Sequence, residues 1–153
     1  MKRFAYFALA LSATCFSGCL LGPAGNDDEG GKSSTYIMVS TTDFADGNIS
    51  RISSDDFSVD TDLLTIHSDN AVTAHNGTLY ILERDGADNL IRIDGPEISS
   101  SQLTYQENIG TAVNIQDIAV VSDSTAYVTQ YGSADCAIIN PATGEVTGSI
   151  ELG

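Results

Sequence analysis

The chain has 153 residues, which suffices for one domain and a short tail. It carries 21 acidic and 6 basic residues, for a net charge of −15. Such a surface repels nucleic acid and anionic lipid headgroups, so we exclude a nucleic-acid-binding role. The acidity by itself identifies no partner.

The N-terminal residues have the layout of a secretory signal. Met1–Arg3 is a positive start, and Phe4–Phe16 follows without any charge. This apolar run is shorter than the about 20 residues that a membrane-spanning helix needs, and it fits the roughly 7–15-residue core of a signal peptide. Ser17 and Gly18 are the small residues expected before a cleavage site. We therefore expect residues 1–18 to be removed, the alternative being a buried N-terminal helix.

The segment Phe16-Ser17-Gly18-Cys19 resembles the bacterial lipobox, in which a cysteine becomes both the lipid attachment point and the new N-terminus. Phe16 stands where that family usually has Leu. The resemblance implies that Cys19 carries a palmitate-like acyl lipid. Cys15 as the lipidated residue, or cleavage without lipid, remain alternatives.

The same resemblance implies a place for the protein. In lipoprotein sorting an Asp after the cysteine commonly holds the protein in the inner membrane, and Leu20 stands there instead. We therefore expect a cell-envelope protein that contacts the membrane through its N-terminal lipid, at the outer membrane, on its periplasmic or surface face.

Cleavage would leave a mature chain with 4 basic and 21 acidic residues, a net charge of about −17. Residues 19–34 contain several Gly residues and the acidic run Asn26–Glu29 without an apolar period, which predicts a flexible tether. Cys136 would be the remaining free cysteine, so no intrachain disulfide can form. We expect it to be a half-buried structural thiol.

From Thr35 onward the pattern changes to short apolar strands between turn residues, which predicts an all-β domain over residues 35–153. Three strands align on Tyr36, Tyr80 and Tyr127, at spacings of 44 and 47 residues. Each is followed by a turn cluster and by two further strands, and the second and third are preceded by another one. The predicted repeats are 35–70, 71–114 and 115–153, and the predicted strands are 35–39, 49–52, 59–66, 71–74, 78–82, 89–93, 102–106, 115–121, 125–129, 137–139 and 146–152.

Four short antiparallel strands in about 45 residues are typical of a β-propeller blade. One such sheet cannot bury both faces alone, whereas stacked neighbours can. The run Ile118–Val121 is apolar throughout, as expected for a strand that is covered on both sides. A β-sandwich would also use short strands but would not require the repeat.

The last repeat resembles the YVTN-type propeller repeat of bacterial and archaeal surface proteins. Its Tyr127-Val128-Thr129-Gln130 strand and its Ile139-Asn140-Pro141-Ala142-Thr143-Gly144 hairpin carry the likeness. Gln130 and Asn140 replace the family's Asn and Asp. The likeness is weaker over 71–114 and faint over 35–70. It implies surface or periplasmic interaction rather than a defined reaction.

Three repeats are too few for a closed ring, since propellers usually have 4–8 blades. The first repeat also lacks an evident innermost strand before Tyr36. We therefore expect an incomplete propeller, the N-terminal part of a longer protein. A ring of several copies is the alternative.

Few residues suggest chemistry. His67 and His75 lie in separate segments, and neither forms a motif with Cys136. The pairs Asp55-Asp56 and Asp60/Asp62 stand in polar, turn-rich sequence, where catalysis is not favoured. The loops 43–48 and 85–89 have the carboxylates of a Ca²⁺ site without its full pattern, so we interpret them as turns. We predict no catalytic residue, no metal site and no cofactor.

We therefore predict a binding or scaffold module that recognises a protein or a small ligand, rather than an enzyme. The alternatives are a propeller hydrolase or oxidoreductase whose catalytic residues lie in missing blades, and a purely structural envelope protein. Fold analogy supports this choice more than any single residue does.

Overall fold

A computed structural model describes residues 10–12 and 35–153. The described residues form an all-β fold with one short 3₁₀ helix, Ser100–Gln102. The predicted lipid site Cys19, the tether 19–34 and the signal peptide other than residues 10–12 lie outside them. No described helix has the length and apolar character needed to cross a membrane.

The strands form three separate four-stranded sheets, and every pairing is antiparallel between strands that follow one another in the chain. Sheet 1 contains β1 (Ala10–Ser12), β2 (Tyr36–Thr42), β3 (Gly47–Ser53) and β4 (Val59–Ile66). Sheet 2 contains β5 (Asn70–His75), β6 (Thr78–Glu83), β7 (Asn89–Asp94) and β8 (Leu103–Asn108). Sheet 3 contains β9 (Ile115–Ser122), β10 (Thr125–Gln130), β11 (Asp135–Ile139) and β12 (Val146–Glu151).

The sheets hold together through two apolar clusters. Met38, Ile49 and Leu64 of sheet 1 share a cluster with Ile81 and Ile93 of sheet 2. The opposite face of sheet 2 contributes a second cluster, which it shares with sheet 3. The principal members of that cluster are Tyr80, Leu82, Leu90, Ile115, Ala126, Val128 and Ile139. Because sheet 2 is covered on both faces, every residue of β6 is buried.

Sheet 1 contains an inner strand that the sequence did not reveal. β1 pairs with β2 in the register Ala10–Ser40, Leu11–Val39 and Ser12–Met38. Residues 10–12 also lie inside the predicted signal peptide. Cleavage before Cys19 would remove β1 and leave β2 as the inner edge of sheet 1.

Sheet 3 differs from its prediction on one side. The run Ile118–Val121 is not buried on both faces, because Ala119 is exposed and Val121 is 66% exposed. β12 is exposed along its whole length. Ala119 is exposed because, among the described residues, no fourth sheet covers the side of sheet 3 that faces away from sheet 2, and β12 is an edge strand.

Candidate binding site

A cleft of about 230 Å³ opens at one end of the junction between sheets 2 and 3. Its sheet 2 wall comprises His75, Asn76, Thr78, Tyr80 and Arg92, and its sheet 3 wall comprises Val120, Ser122, Asp123, Pro141 and Ala142. The volume lies below the roughly 300–1,000 Å³ typical of sites for drug-sized molecules. The cleft therefore suits a small molecule or the end of a larger one.

A tight turn places one rim of the cleft. Asn76 and Gly77 have φ values of 47° and 81°, and His75 pairs directly with Thr78 across the turn. Two positive φ values in a two-residue hairpin loop are typical of a type I′ turn, which the Asn-Gly sequence predicts. Asn76 Nδ2 lies 3.0 Å from His75 Nε2, so this turn presents both polar side chains at the rim.

An arginine fixes the opposite wall. Arg92 Nη1 donates a hydrogen bond of 2.8 Å to the carbonyl oxygen of Pro141, and its Nε donates one of 2.9 Å to Asp94 Oδ1. Tyr105 Oη donates to the same carbonyl oxygen at 3.1 Å. The β11–β12 loop is thus held against sheet 2 by two side chains, because a carbonyl oxygen can accept two hydrogen bonds.

Asp94 is the ionised partner that keeps Arg92 in place. Partial burial opposes its ionisation, but hydrogen bonds from Thr78, Arg92 and Thr104, together with the charge of Arg92, outweigh that effect and hold the pKa of Asp94 below its ordinary value. Thr78 Oγ1 donates to Asp94 Oδ1 at 2.8 Å, and Thr104 Oγ1 donates to Oδ2 at 2.9 Å. The positive charge of Arg92 is therefore already neutralised.

Two tyrosines at the junction of sheets 2 and 3, Tyr80 and Tyr105, remain neutral. Burial raises the pKa of both Tyr80 and Tyr105 above that of a free phenol. Tyr80 is a buried apolar floor, while Ser122 and Asp123 are exposed polar groups of the rim. The cleft thus offers hydrogen-bond donors and acceptors over an aromatic floor, without a strong excess of positive charge.

The opposite end of sheet 2 holds a polar network with a structural role. Buried Glu83 accepts hydrogen bonds of 2.9–3.0 Å from the backbone N–H of His67 and from the amides of Asn89 and Gln106. Arg84 donates from both Nε and Nη2 to Asp69 Oδ1, at 2.9 and 2.6 Å. These carboxylates are used within the protein, which is the usual condition for a buried charge.

Arg84 also connects two sheets, since its Nη1 donates to Gln116 Oε1 at 3.3 Å. The side-chain oxygen of Asn114 accepts the backbone N–H of Asp85 at 3.3 Å and the amide of Gln116 at 2.6 Å. The network therefore joins β6 to the beginning of β9.

The structure does not bring the two histidines together. His67 follows β4, whereas His75 ends β5. They therefore lie at opposite ends of a six-residue strand, which is about 20 Å long at 3.3 Å per residue. His67 Nδ1 lies 3.2 Å from the backbone nitrogen of Asp69, a local contact within the β4–β5 connection.

The predicted acidic pairs occupy an exposed edge. All of residues 54–62 are exposed. Asp56 accepts the backbone N–H and the hydroxyl of Ser58 at 3.0 and 2.8 Å, and these bonds lower the pKa of Asp56. Asp60 pairs with Arg51 at 2.8 Å. These are the contacts of a turn and of a surface ion pair.

The two loops considered for Ca²⁺ differ from each other. In loop 43–48, Asp43 Oδ1 accepts the backbone N–H groups of Ala45 and Asp46 at 2.9 and 3.0 Å, which confirms a turn. In loop 85–89, Asp88 is 3% exposed, and its Oδ1 has no hydrogen-bond partner among the described residues. No group of three or more His, Cys, Asp or Glu within residues 10–12 and 35–153 is placed to hold a metal ion.

Cys136 is more buried than predicted. It lies on β11 with 8% of its surface exposed, and its Sγ lies 3.4 Å from the carbonyl oxygen of Val128. Its thiol is free.

Sequence reasoning did not find the cleft. Its residues come from four separate stretches, near positions 75–80, 92, 120–123 and 141–142, and no local motif joins them. The local signals were the Asn76-Gly77 turn and Pro141, which mark where two of the rims are placed.

No protein-family model matches this chain, and a comparison with curated proteins finds no match either.

Proposed function

We propose that this chain is a cell-envelope lipoprotein, anchored through a lipid on Cys19, that displays a propeller-like binding module. The anchor rests on the positive start, the uncharged run and the small residues before Cys19. The long polar segment 19–34 then holds the domain away from the membrane.

The propeller-like part of the proposal is supported by the arrangement of the sheets. Sheets 2 and 3 are four-stranded antiparallel meanders, and β2, β3 and β4 of sheet 1 form a three-stranded meander of the same kind. Successive sheets share an apolar cluster face to face. β5, the first strand of sheet 2, also contacts β9, the first strand of sheet 3, and β2, the inner edge that cleavage would leave in sheet 1, as inner strands around a common axis would.

The cleft between sheets 2 and 3 is the observation that carries the binding function. Rigid strands hold its walls, and short loops place hydrogen-bonding groups around a buried aromatic floor. Arg92 is neutralised by Asp94, so the cleft does not favour an anion. We infer a small neutral ligand with several hydroxyl or amide groups, such as a sugar unit.

Nuclear magnetic resonance titration tests this proposal. Glucose and N-acetylglucosamine serve as probes, and we expect millimolar affinity, because a shallow cleft immobilises few groups. The backbone amides of Asn76, Ser122 and Asp123 should shift together. Asp123→Ala should remove the response, while Asp62→Ala on the exposed β4 edge should leave it unchanged. Absence of any shift with either sugar would contradict a neutral sugar-like ligand.

A further inference from the structure

The two junctions within the chain are built alike. In both, one sheet offers a face that carries the aligned tyrosine, and the next sheet covers it. Tyr36 belongs to the cluster that sheet 1 shares with sheet 2, and Tyr80 belongs to the cluster that sheet 2 shares with sheet 3. The covering sheet presents the residue that comes directly after its own aligned tyrosine. This residue is Ile81 in sheet 2 and Val128 in sheet 3, and both are fully buried.

The third tyrosine has no described sheet opposite it. Tyr127 pairs with Ala119 and Ile138, whose side chains alternate with those that face sheet 2. Cys136 and Ile150, which pair with each other, lie on the same side. We call these five residues the terminal face. Ala119 and Ile150 are exposed on it, and Tyr127 and Ile138 are half-buried.

Sheet 1 has a corresponding side that no described sheet covers. Ile37 follows Tyr36, and it pairs with Ile52 on the side that alternates with Met38 and Ile49. Ile37 is half-buried, whereas its counterparts Ile81 and Val128 are fully buried. We call Ile37, Val39 and Ile52 the leading face. Val39 of the leading face and Cys136 of the terminal face are each 8% exposed. The described residues thus contain one face of each kind that no described sheet covers.

An arginine bridges both existing junctions. Arg51 of β3 donates to the carbonyl oxygen of Pro96 at 2.7 Å, and Arg92 of β7 donates to that of Pro141 at 2.8 Å. Each proline lies in the loop between the third and fourth strands of the following sheet.

The terminal face replaces this polar bridge with an apolar residue. In sheet 2, Arg92 is the cross-strand partner of Tyr80 on the neighbouring third strand. In sheet 3, the equivalent cross-strand partner of Tyr127 is Ile138. The corresponding loop of sheet 1, residues 54–58, has no proline and presents Phe57, which is 76% exposed. Ile138 on the terminal face and Phe57 beside the leading face are therefore complementary to each other.

We propose that a second copy of this chain covers the terminal face with its leading face, and that two chains close head-to-tail into a ring of six sheets. The proposal rests on the propeller-like arrangement proposed above. The described residues of each chain form three sheets, so a ring of identical copies contains a multiple of three, and six is the multiple within the usual 4–8 blades. Head-to-tail contacts that close in this way form a finite assembly rather than a fibre.

Sedimentation analysis of the full chain, as the cell produces it and extracted in mild detergent, tests the proposal. We expect two chains per particle at micromolar concentration. Phe57→Glu should weaken this association at least about tenfold, since it places a charge in an apolar contact. Phe44→Glu is the matched control, because Phe44 is also 76% exposed and also has a positive φ, but lies in the β2–β3 turn.

Circular dichroism of each variant checks that it still folds, and Ile138→Glu provides the reciprocal change on the terminal face. A monomer at all concentrations would overturn the proposal. So would a dimer that neither Phe57→Glu nor Ile138→Glu weakens, or particles that grow without limit. Because this experiment reads mass and the sugar titration reads cleft amides, failure of one does not decide the other.

Discussion

Asp88 places a buried carboxyl oxygen where no described residue hydrogen-bonds to it. It is 3% exposed, its Oδ1 has no hydrogen-bond partner among the described residues, and its φ is 54°. An unpaired buried polar group costs about 1–3 kcal/mol, and Asn tolerates the left-handed conformation as well as Asp does. The side chain therefore lowers stability where it stands.

We expect Asp88→Asn to raise the free energy of unfolding by about 1 kcal/mol, because it removes a buried carboxylate without changing its shape. Urea denaturation measures the change. Asp62→Asn is the control, since Asp62 has a φ of 56° but is exposed, and it should have no effect. A loss of stability in Asp88→Asn, together with stabilisation of the wild type by Ca²⁺, would instead assign a cation to this carboxylate.

Asp94 makes the stability of the fold depend on pH in the acidic range. Its pKa is lower in the folded chain than the roughly 3.9 of an unfolded carboxyl group. Its contribution is therefore fully present above about pH 4 and is lost as the pH falls through its folded pKa. Asp94→Asn should be less stable than the wild type at pH 7, and this difference should shrink below about pH 4. Thermal unfolding at a series of pH values checks this, and a difference that is independent of pH would contradict it.

At the scale of the elements, the strands follow closely from the sequence. The predicted strands 59–66, 78–82, 115–121 and 146–152 match β4, β6, β9 and β12 to within one residue at either end. Local composition suffices there, because β-branched, aromatic and other apolar residues fill the strands and Asn, Asp and Gly mark the turns.

Three features required tertiary information. β1 was missed because the uncharged run around Leu11 is typical of a signal peptide, and its pairing with β2 involves residues about 28 positions apart. The prediction that Ile118–Val121 is buried on both sides was wrong, because an apolar sequence does not show whether a neighbouring sheet is present. The cleft was missed because Arg92 reaches a carbonyl oxygen 49 residues away.

The hydrogen bonds from arginine to proline carbonyl oxygens, which bridge the sheets, can be tested by substitution. Arg92→Met keeps most of the side-chain length but leaves the Pro141 carbonyl oxygen with Tyr105 as its remaining partner. We expect a loss of about 1.5–3 kcal/mol in unfolding free energy, as for other hydrogen bonds to charged groups, and a weaker sugar response at the cleft.

Arg51→Met is the matched control for that change. Arg51 makes the equivalent bond to Pro96, lies over the ring of Tyr36 at 4.9 Å and stands at the other junction. It should lower stability to a similar extent and leave the cleft amides unchanged. If both variants altered the cleft equally, Arg92 would have no particular role in shaping it.

At the scale of the whole molecule, charge opposes the proposed association. Each chain has a net charge of −15, or about −17 after cleavage, so two copies repel each other. Raising the salt concentration from about 0.01 to 0.1 M shortens the screening length from about 30 to 10 Å. We expect the dimer dissociation constant to fall with this change, as measured by sedimentation. Weaker association in salt would indicate ion pairs between the copies and would contradict an apolar interface.

The mass of the protein extracted from the membrane fraction decides whether a lipid-anchored chain displays this domain in the cell envelope. We expect a chain that begins at Cys19 and carries additional acyl mass, and Cys19→Ser should abolish this modification. Recovery of an uncleaved chain from Met1 without added mass would contradict lipid anchoring. In that case the signal-like segment would remain in the protein, with β1 as the inner strand of sheet 1.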